Sequence, residues 1–138
     1  MTLLDTGPVV AFFDRDDHYH SLCLETLKQI RDPLVTTWPV ITECFYLLAF
    51  SWEAQDSLWT FIQRGGVEIQ PLSKACQIRC RDLMKQYSNL PMDLADATLV
   101  SLGEEVGTAK VFTLDHRAFS VYRLKNKTRF RLLPSSIA

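Results

Sequence analysis

The chain is poor in most of the features that announce a function. No apolar run approaches the roughly 18 residues that a bilayer crossing requires, so no membrane span is expected. No basic segment leads into a signal-type apolar stretch near the start, and the expectation is a soluble, cytoplasmic protein. There are only four cysteines, Cys23, Cys44, Cys76 and Cys80, and none sits in a Cys-x-x-Cys pair. Cys76 and Cys80 share a helical face, but further zinc ligands at suitable spacing are missing, which leaves buried free thiols as the reading. The three histidines, His18, His20 and His116, have no evident catalytic partner, and no Ser/His or Cys/His nucleophile arrangement can be traced. Internal repeats, low-complexity tracts and long linkers are also absent. So are acids in the last stretch of chain: no Asp or Glu follows Asp115.

What is present is an ordinary globular composition, 138 residues with 47% apolar and 22% charged, enough for one domain over residues 1–138 with a real core. The net charge of −1 hides an uneven distribution. Asp14, Asp16 and Asp17 cluster in one loop, whereas the stretch after Asp115 carries Arg117, Arg123, Lys125, Lys127, Arg129 and Arg131. Such a basic segment can follow a phosphate backbone, and it can equally be a solvated strand and loop. Arg117, Arg123, Lys125 and Lys127 are the candidates for contact with nucleic acid.

Short apolar runs at residues 3–5, 34–37, 67–70, 111–114 and 130–133 alternate with helical patterns near 8–13, 20–31, 39–51, 54–64, 73–88, 94–106 and 117–123. This alternation points to an α/β fold with a parallel sheet covered by helices on both faces. Strands of that kind are buried on both sides. Right-handed crossovers align their C-terminal ends along one edge, where ligands bind in open α/β sheets. Pro39 suits a first helical turn, Gly65-Gly66 stops a helix, Asp93 is placed to cap the helix from residue 94, and Gly107 ends it.

Against that frame, certain acids are out of place. Asp5 ends the first strand and Asp115 follows the fourth, so both belong to the same sheet edge, although each alone also fits a turn that caps the next helix. Their adjacency depends on a strand order that the sequence does not supply. Thr113, two residues before Asp115, can face the same way. Glu43 falls with Val40, Cys44, Leu47 and Leu48 at the spacing of a core-facing stripe, where a carboxylate must be paired, hydrogen-bonded or on a metal. Asp96 projects to the margin of an apolar stripe made by Ala95, Leu99, Leu102 and Val106. Asp93 also reads as a plain cap. Converging carboxylates repel unless a cation holds them, and oxygen-only donors suit Mg²⁺ or Mn²⁺ better than zinc. Such a site can activate water in phosphodiester cleavage. Trp38, Trp52 and Trp59 read first as helix packing, with base stacking as the functional alternative.

The stretches "LLDTGPVVAFFDRDDHYH", "TTWPVITECFYLL", "PMDLADATLVSLGEEVG" and "VFTLDHRAF", in that order, span nearly the whole chain. With their acids in place, they resemble the PIN-domain family, especially its VapC-type toxin ribonucleases. The resemblance implies a three-layer α/β/α fold with a five-stranded parallel sheet. It implies an Mg²⁺- or Mn²⁺-dependent endoribonuclease of a toxin–antitoxin pair, with Asp5, Glu43, Asp96 and Asp115 as the metal-site acids. Asp93 matches an acid found in part of the family, and Thr6 and Thr113 match the polar residues beside the first and last acids. An antitoxin partner and a homodimer are also implied. The apolar stretch "CFYLLAFSWEAQDSLWTFI" suits either as a groove, although packing of two helices into the core explains it too. Two readings compete: a housekeeping RNA-processing nuclease, and a non-catalytic scaffold of the same fold that binds RNA or protein. A phosphatase of the haloacid dehalogenase type ranks below both, because Asp5-Thr6-Gly7 lacks a second Asp two residues on.

Overall fold

The apolar runs become strands and the periodic segments become helices in the computed structural model, which describes residues 1–137. The element order is β1 (Thr2–Leu4), α1 (Thr6–Phe13), α2 (His20–Gln29), β2 (Leu34–Thr37), α3 (Trp38–Leu47), α4 (Trp52–Gln63), β3 (Glu68–Gln70), α5 (Lys74–Gln86), α6 (Leu94–Val106), β4 (Lys110–Phe112), α7 (His116–Val121) and β5 (Arg131–Leu133). All pairings are parallel, in the order β3-β2-β1-β4-β5. The expected five-stranded parallel sheet is therefore found.

This order positions the site. From β1 the chain steps outward through β2 to β3, then crosses back over the sheet to β4 on the other side of β1. Right-handed crossovers place helices on one face for steps in one direction and on the opposite face for the return. Helices α1–α4 accordingly cover one face, with α1 packed against α2, α3 and α4, while α6 lies on β1 and β2 and packs against α5 on the other. The sideways order of strand addition reverses between the parallel neighbours β1 and β4, whose register pairs Leu3 with Val111 and Leu4 with Phe112. The segments leaving these two strands diverge, and a crevice opens at their C-terminal ends.

Local sequence explains the boundaries. Asp93 caps α6, its Oδ1 accepting the Asp96 N–H at 2.8 Å, and Gly107 closes that helix in the left-handed conformation. The expected helix over 39–51 is shorter. It stops at Leu47, because the Ser51 hydroxyl accepts the Ala54 N–H and starts α4 there. The central strands β1 and β2 are wholly buried, but β3 and β5 are half-exposed edges, which the expectation of two-sided burial did not distinguish. Each edge strand is only three residues long and carries a charge (Glu68 or Arg131), which blunts edge-to-edge pairing. All four cysteines are buried free thiols, as expected. No helix among the described residues is long and apolar enough to cross a membrane.

Candidate active site

Asp5 is the innermost acid of the crevice. Its backbone N–H donates to Phe112 O at 3.0 Å, which extends the β1–β4 ladder by one bond. Its side chain is buried and makes no cap bond to α1, so a simple capping role does not account for it. The Thr113 hydroxyl donates to Asp5 Oδ2 at 2.7 Å and accepts the Asp115 N–H at 3.0 Å. One buried hydroxyl thus ties the loop after β1 to the loop after β4. Gly7 lets the first turn of α1 approach the loop after β4, since a Cβ there would meet Leu114 Cβ at 3.2 Å.

Asp93, Asp96 and Asp115 reach the crevice from helix starts, and Glu43 from within α3. Asp96 stands in the first turn of α6, half-buried at the margin of the apolar face, and its Oδ2 accepts the Tyr122 hydroxyl at 2.8 Å. Asp115 is exposed and caps α7, its Oδ1 accepting the Ala118 N–H at 3.0 Å. The cap reading holds for Asp93 and Asp115, and because each cap bond occupies only one oxygen of the carboxylate, capping leaves the other oxygen of each uncommitted to the helix. Glu43 requires a correction. The buried stripe of α3 is Val40, Ile41, Cys44 and Leu48, whereas Leu47 is 47% exposed. Glu43 therefore sits half-buried at the stripe's margin and faces the crevice beside Leu47.

Together Asp5, Thr6, Gly7, Glu43, Leu47, Asp93, Asp96, Leu114 and Asp115 line one cavity of about 440 Å³. No lysine, arginine or histidine is among the lining side chains. Electrostatics record the crowding. Burial pushes Asp5 up to about 6 against the pull of the Thr113 hydroxyl and the Thr6 backbone N–H, with Glu43 and Asp93 adding to the push. Burial, then the charge of Asp5, pushes Asp96 up to about 8, although the Tyr122 hydroxyl works the other way.

The donor set is all oxygen, which suits a hard divalent cation. Among the described residues no three His, Cys, Asp or Glu side chains are gathered closely enough to hold a metal ion outright. Mg²⁺ keeps several waters and takes only one or two carboxylates directly, so a roomy crevice edged by five carboxylates fits it without a closed cage. The buried Thr6 hydroxyl in the same lining, which has no hydrogen-bond partner, is a further oxygen for such a hydrated ion.

The basic candidates are dispersed. Arg117 lies in the first turn of α7, two residues after Asp115, on the crevice side of the sheet. Arg123 turns back to cap α7, its Nη1 donating to the carbonyls of Ser120, Val121 and Tyr122. Lys125 lines a different cavity with Gly107, Thr108 and Ala109, at the end of the sheet where β4 begins, and Lys127 belongs to the same loop. These two lysines are not brought to the acids. Packing of two helices explains part of the apolar stretch over residues 44–62, since Cys44, Leu48 and Leu58 are buried and Phe45, Phe61 and Ile62 pack against the core, but it does not account for all the aromatics. Trp59 stacks on Phe45, but Trp38, Tyr46, Phe50 and Trp52 are at least half exposed. Trp38, Tyr46, Leu72 and Leu94 line an apolar cavity that adjoins the acidic one through Glu43 and Asp93.

Sequence reasoning missed two groups here. Tyr122 was hidden within the basic segment, although its spacing of three from Phe119 marks a buried tyrosine whose hydroxyl needs a partner. Thr37 and Thr98 share a buried hydroxyl bond of 2.7 Å that fixes α6 to the end of β2, and a threonine inside a helix gave no signal of it.

A crevice of carboxylates at the reversal point of a β3-β2-β1-β4-β5 parallel sheet defines a class, and the chain matches the model of that class, the PIN domain, over residues 2–124. The chain belongs to the PIN-domain family. Ribonuclease VapC26 of Mycobacterium tuberculosis is 27% identical over 142 residues, covering 96% of this chain and 99% of that protein. Among solved structures, VapC20 of M. tuberculosis, described as a sarcin–ricin loop cleaving toxin, superposes with a TM-score of 0.73 at 15% identity, covering 86% of this chain and 94% of that one. VapBC2 of Rickettsia felis, bound to a DNA fragment from its promoter, gives 0.65 at 18% identity over 95% and 96% of the two chains.

Proposed function

We propose that this chain is a metal-dependent endoribonuclease that hydrolyses RNA phosphodiester bonds with Mg²⁺ or Mn²⁺, acting in the cytoplasm as the toxin of a toxin–antitoxin pair. The observation that carries the reading is the cavity at the β1–β4 divide, edged by five carboxylates and by no basic side chain. An uncompensated group of this kind is costly unless a cation joins it. The VapC relatives, one named a ribonuclease and one described as cleaving the sarcin–ricin loop, support RNA as the substrate.

Asp5, Glu43, Asp96 and Asp115 are the catalytic acids on this reading, and Asp93 is a fifth metal-site acid. Asp5 and Asp96 are each steadied through Oδ2 by a hydroxyl, from Thr113 and Tyr122. Asp93 and Asp115 each commit Oδ1 to a helix cap and offer the other oxygen. When bound, the ion supplies Lewis acidity, which makes water a nucleophile near neutral pH and neutralises charge on the phosphate. The Glu43 carboxylate, half exposed at the mouth, accepts the proton of the attacking water. Arg117 takes a flanking phosphate. The apolar cavity beside the acids supports a covering protein, an antitoxin or a second copy of this chain in a homodimer.

Induced expression in a bacterial host, followed by sequencing of RNA ends, tests this. Growth arrest with new, position-specific RNA ends is expected from the wild type and neither from Asp5→Asn. Equal arrest and equal cleavage by Asp5→Asn would overturn the reading.

A further inference from the structure

Asp96 is oriented by a side chain from outside the acid set. Tyr122 is 1% exposed and lies at the C-terminal cap of α7, yet its phenol reaches across to α6 and donates to Asp96 Oδ2 at 2.8 Å. Its ring is wedged edge-on between Phe119, centroids 5.0 Å apart, and Tyr87, 5.1 Å apart. Tyr87 is fixed in turn, its hydroxyl accepting the Arg123 N–H at 3.0 Å. The phenol therefore has one place to point. With Oδ2 engaged, Oδ1 is the Asp96 oxygen available to a ligand in the crevice. Thr113 does the same for Asp5, holding Oδ2 from the loop that follows β4.

We infer that Tyr122 is a positioning residue for the metal-binding carboxylate of Asp96, a role that rests on the metal-dependent reading above. Hydrogen-bond partners of ligating carboxylates fix which oxygen faces the ion, and their loss typically weakens metal affinity 10- to 100-fold. A purely structural phenol would stabilise the fold without affecting the metal.

Calorimetric titration of Mn²⁺ into wild type, Tyr122→Phe and Tyr87→Phe separates the two. Tyr122→Phe keeps the ring packing and removes only the hydroxyl. Its Mn²⁺ affinity is expected to fall roughly 10- to 100-fold, its kcat at limiting Mn²⁺ to fall and be rescued by excess Mn²⁺, and its KM for RNA to stay constant. Tyr87→Phe, which leaves the Tyr122–Asp96 bond in place, is expected to bind Mn²⁺ as the wild type does. Wild-type Mn²⁺ affinity in Tyr122→Phe would overturn the inference and leave the metal reading standing. So would failure of Tyr122→Phe to fold, or equal losses in both variants, since either makes the bond structural. No Mn²⁺ binding by the wild type would overturn the metal reading itself.

Discussion

Replacing Asp96 by Asn is expected to stabilise the metal-free protein and to abolish its stabilisation by metal. Asn keeps an acceptor for the Tyr122 hydroxyl, so packing and the 2.8 Å bond survive while the charge is removed. In the wild type, burial and then Asp5 raise this carboxyl from 3.8 to about 8. A group raised on folding contributes stability that is full below its unfolded value and is lost as pH rises through its folded value. The wild type should therefore equal the variant near pH 4 and fall progressively behind it up to about pH 8. Each pH unit of that interval is worth about 1.4 kcal/mol. Water reaching a half-buried carboxylate screens roughly half of it, which leaves about 3 kcal/mol at pH 8. For a chain of this size that corresponds to a melting temperature higher by about 8–10 °C in the variant. With Mn²⁺ at a hundred times its dissociation constant the wild type gains about 2.7 kcal/mol and the variant none. Thermal melts in EDTA and in Mn²⁺ across pH 4–8 measure all of this. A variant that melts below the wild type in EDTA at pH 8, or a gain already present in full at pH 4, would refute the reasoning.

Two further outcomes follow from the same geometry. Thr113→Val removes a donor to Asp5 and an acceptor for the Asp115 N–H in a buried setting, and denaturant unfolding should show a loss of about 1–3 kcal/mol together with weaker Mn²⁺ binding. Arg117→Ala is expected to raise KM for a short single-stranded RNA, with a flatter salt dependence, whereas Lys125→Ala should leave KM and kcat within about twofold, because this exposed lysine lines a different cavity at the end of the sheet where β4 begins and salt screens exposed charges. Steady-state kinetics at two salt concentrations distinguishes the pair.

The sheet and the two strand-end acids were legible because apolar runs that stop at an Asp place that Asp on an edge whatever the strand order. Adjacency was not legible: Asp5 and Asp115 meet only because β4 crosses back to pair with β1, a long-range choice with no local signature. Glu43 was singled out for a reason that the structure corrects. A stripe read at helical spacing assigned Leu47 to the core, but α3 buries Ile41 instead and turns Leu47 and Glu43 together toward the crevice. The break before Ser51 was missed because Leu47, Leu48 and Phe50 continue an apolar pattern past the point where capping ends the helix. Tyr122 was obscured by the arginines and lysines around it, which drew attention to charge along a stretch whose one buried phenol points at the acids.

The most direct measurement is cleavage of a synthetic single-stranded RNA by purified wild type and by Asp5→Asn, in EDTA and in Mn²⁺. Endonucleolytic products from the wild type in Mn²⁺ alone, with no products from Asp5→Asn in either condition, are expected. Products from the wild type in EDTA, or full Mn²⁺-dependent cleavage by Asp5→Asn, would contradict a nuclease built on these carboxylates.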